Sequence, residues 1–383
     1  MGRPGRHRRA AGRAGAGRDG RCCVTPLYPP AAFGVPEGVA HLCAGGEPPF
    51  LESHAQAFAL YAKHKSAGYA GRDAQGEEIT RVRRLLAEDW AVPLEEIGFV
   101  SSVAEGVSML AESMDLAGGN VVAADIEYPS MIGPFARLPG VELRLADGLG
   151  GIAQMVDANT RVILASDISN LTGEAADLEG LRALADRVGA ALVVDHTQAA
   201  GWKRIRADLA DFAFSACYKW LLGTTGIAVA YWNRRRQPGW APRTQGWFSV
   251  QTPTDWSAPQ LKPDAMRFCR GNPSFLPLYV LGNALDFARA YDPAQVEAHV
   301  HQLSVDLREG LIAAGITPTT PPHHGANVCL AHPDSDAVVA AMAEDGVMAW
   351  GGRGRLRFSL HAYNGSADVA QAVAALKKAL ARG

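Results

Sequence analysis

No apolar run in this chain approaches the roughly 18 residues that a membrane-spanning helix requires, so no membrane partner is expected. Charge of one sign is also missing. The formal net charge is −2, which gives no reason to expect nucleic acid or an anionic lipid surface as a global partner. Cysteine is sparse: Cys22, Cys23, Cys43, Cys217, Cys269 and Cys329 make no CxxC pair and no framework-like spacing. That dispersal fits the reduced thiols of a cytoplasmic protein better than disulfides or structural zinc. His299-x-His301 and His323-His324 lack the carboxylate or cysteine partners of a ligand set, so no metal is expected. No internal repeat is visible.

What is present is a globular composition. The 383 residues are 48% hydrophobic and 20% charged, enough for one large α/β domain with a smaller partner. Residues 1–24 stand apart, with seven arginines among Gly and Ala and no apolar periodicity. They lack the hydrophobic segment of a secretory signal, despite Arg8-Arg9, and the Ser or Thr that myristoylation of Gly2 requires. A disordered basic tail over 1–27 is the expectation, with an organelle transit peptide the less favoured reading. A large domain over 28–262, with a Pro-rich lead-in, and a small α+β domain over 263–383 complete the division.

Periodicity places helices over Leu51–Gly68, Glu77–Trp90, Ser130–Leu138 and Leu178–Val188, with Phe58, Leu60 and Tyr61 forming the apolar side of the first. Apolar runs at 97–100, 120–124, 141–145, 162–165, 192–194, 212–215 and 227–232 read as strands. Continuous apolar strands alternating with helices indicate a mainly parallel sheet covered on both faces. Residues 233–262, rich in Arg, Pro, Trp and Gly, read as a long excursion or lid. Beyond them, helices are expected over 278–291, 295–315 and 366–380, and strands over 326–331, 347–349 and 355–360.

In such sheets ligands lie beyond the carboxyl ends of the strands. Ser102, Glu127-Tyr128, Asp167–Asn170, Asp195 and Lys219 all fall at such ends. Asp195 closes one buried run and Lys219 follows another, a pairing that suits a pyridoxal 5′-phosphate (PLP) site. Ser101–Gly106 offers small residues at a helix start, where free N–H groups and the helix dipole favour a phosphate. Taken singly these signals are weak: Ser-Ser before a helix is more often an ordinary cap, and a lone lysine after an apolar run is usually a solvated strand end.

The ordered set SVAEG, EYPS, SNLTG, VVDHTQAAG, CYKWLLGTTG, GNPS and LRFSLHAYN resembles the class V aminotransferase family of fold type I PLP enzymes. That family includes cysteine desulfurases, selenocysteine lyases, isopenicillin-N epimerase and kynureninase. The resemblance implies a fold type I PLP-dependent transferase architecture, a homodimer with shared active sites and an amino-acid substrate. It makes Lys219 the Schiff-base lysine and places Asp195 against the pyridine nitrogen, where a carboxylate keeps the ring an electron sink. Gln198 and Asn170 match residues that bond the phenolic oxygen, and Tyr128 the ring against the pyridine face. Val103 and Ala104 offer backbone N–H groups to the phosphate, and Tyr218 resembles a phosphate-reaching tyrosine of kynureninase. Asn272 stands where relatives reach across to the partner's phosphate. Arg357 matches the arginine that grips the substrate carboxylate.

Departures narrow the chemistry. The loop Ala349–Gly354, where desulfurases carry their thiolate, has no cysteine, and Ala216 stands where relatives often have Ser. The leading expectation is a carbon–sulfur lyase working by β-elimination. Kynureninase-like hydrolysis, epimerisation and transamination are the alternatives, and a non-catalytic PLP-fold scaffold is the reading from another class.

Overall fold

The computed structural model describes residues 24–255 and 257–382. Seven strands form the central sheet: β1 Ile97–Val100, β2 Asn120–Ala124, β3 Glu142–Ala146, β4 Thr160–Ser166, β5 Ala191–Asp195, β6 Phe212–Ala216 and β7 Ala228–Trp232. Their spatial order is β1-β7-β6-β5-β4-β2-β3. The pairs from β3 through β6 are parallel, and β7 runs antiparallel to both β6 and β1. Every residue of β1, β2, β5 and β7 is buried, which is why these strands read as unbroken apolar runs. Edge strand β3 is half exposed and carries Arg144 and Glu142 outward.

The longer helices are α1 His54–Lys65, α2 Gly68–Asp89, α3 Val103–Ser113, α4 Leu178–Val188, α5 Phe275–Ala288, α6 Pro293–Ala313, α7 Ser335–Glu344 and α8 Ser366–Leu380. Helix α4 shows the local logic. Asp177 caps its first turn by accepting from Gly180 N at 2.9 Å, and Gly189 ends it in the left-handed region at φ 71°, as only glycine does cheaply. Its Leu181, Leu184 and Ala185 are buried against the sheet side of the core.

A smaller body holds β8 Asn327–Ala331, β9 Trp350–Gly352 and β10 Arg355–Ser359 in the antiparallel order β9-β10-β8. Its own core unites Leu303, Leu307, Val328, Phe358 and Leu376 with Ala40 and Leu42. Residues 40–41 pair in parallel with 347–348, so the lead-in threads through the small body before entering the large one. No helix among the described residues is long and apolar enough to cross a membrane.

Several expectations need correction. The basic tail lies outside the described residues up to position 23, but Val24–Leu27 are part of the folded body. Val24 N donates to Ser366 Oγ at 2.9 Å, and Leu27 N to Ala362 O at 2.8 Å. The division at 262/263 also moves. Ala265 and Phe268 sit in the core beneath β1 and β7, while Leu278, Leu281 and Leu285 of α5 join the core that holds α2. Val296 and Val300 belong to that core and Leu303 onward to the small one, so the division runs through α6. The helix expected at 130–138 is one turn, Pro129–Ile132. The helix expected from Glu77 begins at Gly68 and continues unbroken. Phe58 and Leu60 point outward, 39% and 41% exposed, because α1 packs on α5 through Ala57 and Tyr61 instead. Helix α7 has no counterpart in the sequence reading.

Gly201 joins the two segments that carry the candidate chemistry. At φ 109° its position for a Cβ lies 2.3 Å from Trp220 O and 2.7 Å from Leu221 N. Only a residue without that atom lets the 196–201 turn lie against the backbone that follows Lys219. We predict that Gly201→Ala lowers stability by about 2–4 kcal/mol, the sum of backbone strain and overpacking; chemical denaturation checks this, and an unchanged midpoint contradicts it.

Candidate active site

The carboxyl ends of β4, β5 and β6 converge on one cleft. It is lined by Ser102, Val103, Ala104, Tyr128, Ser130, Ser166, Asn170, Asp195, Thr197, Gln198, Ala216, Tyr218 and Lys219. Eight of the ten residues singled out from sequence are therefore brought together. Asn272 is not among them. It lies in an adjoining depression with Ser101, Glu105 and Arg270, where its Oδ1 accepts from Arg72 Nη2 at 2.6 Å. Arg357 stands just behind the cleft, its Nη1 donating to the carbonyl of Asn170 at 3.4 Å.

Helix α3 supplies the anion end of the cleft. Ser102 is its N-cap in extended conformation, with Oγ accepting from Glu105 N at 3.2 Å. Val103 and Ala104, the first residues of the helix, have no helical carbonyl to bond, so their N–H groups and the helix dipole are available to a phosphate. Ala216 faces the same cleft, while Ser215, its neighbour on β6, is fully buried and donates to Ala216 O at 3.2 Å. Strand alternation turns that hydroxyl away, so Ser215 does not replace the missing serine.

Asp195 ends β5 and is 5% exposed. Its Oδ1 accepts from Thr197 N at 2.8 Å, which fixes the carboxylate toward the cleft. Burial pushes its pKa up, against the hydrogen bonds from Thr197 and the charge of Lys219. A carboxylate in that state gains from any cation set beside it. Behind it, His196 Nδ1 and Lys203 Nζ meet the two oxygens of buried Asp167 at 2.9 and 2.6 Å. Glu127, another buried carboxylate, is held by Ser166 Oγ, by Ser166 N at 2.7 Å and by Tyr128 N at 2.7 Å.

Lys219 is 7% exposed. Its Nζ lies 5.6 Å from the Tyr128 ring centroid and 5.5 Å from that of Tyr218. Burial, then the charge of Arg357, pulls its pKa down to about 8, with Asp195 and Glu47 opposing. A neutral amine is the form that adds to a carbonyl. Gln198 is tied on two sides, donating to Gly45 O at 3.1 Å and accepting from Asn327 Nδ2 at 3.0 Å; its second N–H remains for a ligand.

The sequence reading missed Ser130, Ser166 and Thr197, and missed the turn Cys43–Glu47 altogether. That turn bridges Ser359 of the small body through Cys43 and abuts the cleft, where Gly45 O accepts from Gln198. A Cβ on Gly45 would lie 2.5 Å from Ser359 Oγ, and one on Gly46 3.2 Å from Arg357 Nη2. The clustered small residues of HLCAGGEPP were the available signal. Cys43 is half-buried there, its thiol pushed up to about 11 by burial although Arg357 opposes.

The cleft thus defines a class: an α/β protein with a buried lysine, a buried carboxylate and the open N-terminus of a helix around one space. The model of the aminotransferase class-V family matches residues 52–371, and the chain belongs to that family. A cysteine desulfurase of Klebsiella pneumoniae is 28% identical over 225 residues, 55% of each chain. A kynureninase of Pseudomonas fluorescens is 28% identical over 223 residues, 55% of this chain and 53% of its own. The chain's matches thus span about half the length of these curated relatives. Among solved structures, the cystine C–S lyase C-DES superposes with a TM-score of 0.81 at 19% identity, over 89% of this chain and 98% of its own. A variant of C-DES carries glycine covalently linked to its PLP cofactor. The cofactor of this chain is pyridoxal 5′-phosphate, and the donor set fits it: free amides for the phosphate, Asp195 for a ring cation and Lys219 for the aldehyde.

We predict that the cofactor-free protein captures PLP faster as pH rises through about 8, since the neutral amine is the nucleophile. Removing the neighbouring cation in Arg357→Gln moves that midpoint upward. Stopped-flow absorbance measures both, and a midpoint unchanged by the substitution contradicts the electrostatic account.

Proposed function

We propose that the protein is a carbon–sulfur lyase that removes a thiol from a cysteine-derived amino acid by β-elimination. One observation carries this reading: a buried lysine, a buried carboxylate and a buried guanidinium lie close together, while among the described residues Cys43, Cys217 and Cys329 all have thiols pushed up by burial. Bound PLP supplies the sink for charge that develops at the substrate Cα. Lys219, with its pKa drawn toward neutrality, is placed to take the α-proton on Nζ. Asp195 steadies the ring nitrogen, and Arg357 holds the substrate carboxylate. The Cβ–S bond then breaks with its electron pair on sulfur, and water completes the balance to thiol, pyruvate and ammonium. Gln198 and Asn170 take the phenolic oxygen, Tyr128 covers the ring, and Val103, Ala104 and Tyr218 serve the phosphate.

A persulfide relay finds little support. Cys217 and Cys329 are fully buried, with thiols pushed up to about 12 and about 11. Cys43, also close to Arg357, has its thiol pushed up to about 11 by burial. Tyr218 beside Lys219 favours the second reading, hydrolysis of a kynurenine-like substrate. Asn272, outside its own cleft, suits service to the phosphate of a second copy in a homodimer.

The test is a panel of S-substituted cysteines and kynurenine, with products read by mass spectrometry. Pyruvate and ammonium are expected from the cysteine derivatives, with turnover in Lys219→Ala down by about 10²–10⁴-fold and retained in Cys43→Ser. Anthranilate from kynurenine, without pyruvate from the others, would move the assignment to the hydrolase. Loss of turnover in Cys43→Ser alone would restore the persulfide relay.

A further inference from the structure

Arg357 is 6% exposed, and a guanidinium so buried ordinarily faces a carboxylate. Among the described residues it has none. Its one hydrogen bond is the 3.4 Å contact to Asn170 O, and its buried Nε has no partner. What lies against it is an indole. Trp350 on β9 is the register partner of Arg357 on β10, and the Arg357 Cζ stands 5.3 Å from the Trp350 ring centroid. Arg355, two residues earlier on the same face of β10, places its Cζ 4.9 Å from that ring and also leaves a buried Nε unpartnered. On the other side, Nη2 of Arg357 looks toward Gly46, where no side chain intrudes.

We propose that Trp350 is a positioning residue that holds Arg357 through the face of its ring. The π face attracts the cation without occupying its N–H groups. A carboxylate in the same place would satisfy the guanidinium but also use the edge that a substrate must reach. Trp350 thereby compensates part of the buried charge and keeps the hydrogen-bonding edge beside Gly46 open to an incoming carboxylate. It does so from the segment Ala349–Gly354, where the sequence reading looked for a thiol and Trp350–Gly352 form β9. The inference rests on the reading of Arg357 as the carboxylate site.

The experiment uses the cofactor-loaded protein and two probes, S-methyl-L-cysteine and its carboxylate-free counterpart 2-(methylthio)ethylamine. Half-saturating concentrations are read from the change each causes in the visible spectrum of the bound cofactor. In Trp350→Leu the value for the amino acid rises about tenfold, while that for the amine stays put. In Trp350→Phe, which keeps a weaker π face, the rise is about two- to threefold and still confined to the amino acid; this variant decides if leucine fails to load cofactor. Equal shifts for both probes, or none, overturn the positioning role. Arg357→Gln is the control: if it fails to separate the two probes, the carboxylate assignment itself falls, whatever Trp350 does.

Discussion

Burial of an amine and a carboxylate in one cleft with a guanidinium just behind it, none of them paired off with another, is the constraint on which the rest of this structure depends. Each of Lys219, Asp195 and Arg357 is less than a tenth exposed, and leaving such groups without close partners costs free energy. The fold accepts that cost because the central strands beneath are buried and mostly apolar. Parallel strands β4, β5 and β6 end at the same level, so the residues just past them emerge into one place. The unspent electrostatics then become ligand affinity. In the proposed reading Asp195 would meet a ring cation, Arg357 a carboxylate, and the amides of Val103 and Ala104 a phosphate.

The small body is as necessary as the sheet. Its strand β10 brings Arg357 up behind the cleft, and the turn Cys43–Glu47 meets the cleft through Gly45 O, which accepts from Gln198. Those two pieces are joined to the large body by specific contacts: Gln198 Nε2 to Gly45 O, Asn327 Nδ2 to Gln198 Oε1 and Trp220 Nε1 to Leu360 O at 3.0 Å. Trp220 follows Lys219 directly, so the segment bearing the reactive amine is also a seam between the bodies. Motion of one against the other would change the distance from Lys219 to Arg357, and with it the field that lowers the lysine pKa.

Strands buried on both faces were legible from sequence, since β2, β5 and β7 have no polar face to confuse the pattern. Residues that line the cleft were legible for the same reason: Asp195 is a charge ending an apolar run. Boundaries were less so. The start of α2 was hidden because Gly68–Gly76 carries little apolar periodicity, and the helix there is held by packing on α5. The turn Cys43–Glu47 escaped notice because its role arises from contacts between distant parts of the chain, and Thr197 and Trp350 because neither residue type marks a contact with the charged residue beside it. Gly45 meets Gln198 across 153 residues, and nothing local marks either as a partner of the other. Asn272 was assigned by motif order, and the structure places it in the adjoining depression.

The central claim is that one buried amine, Lys219, carries the cofactor. Borohydride reduction of the PLP-loaded protein fixes the cofactor to whichever lysine holds it, and tryptic mapping then locates the added mass. The account predicts the label on the peptide Ala207–Arg234, uncut at Lys219. A label on Lys203 or any other lysine, with the 207–234 segment cleaved and unmodified, would contradict it.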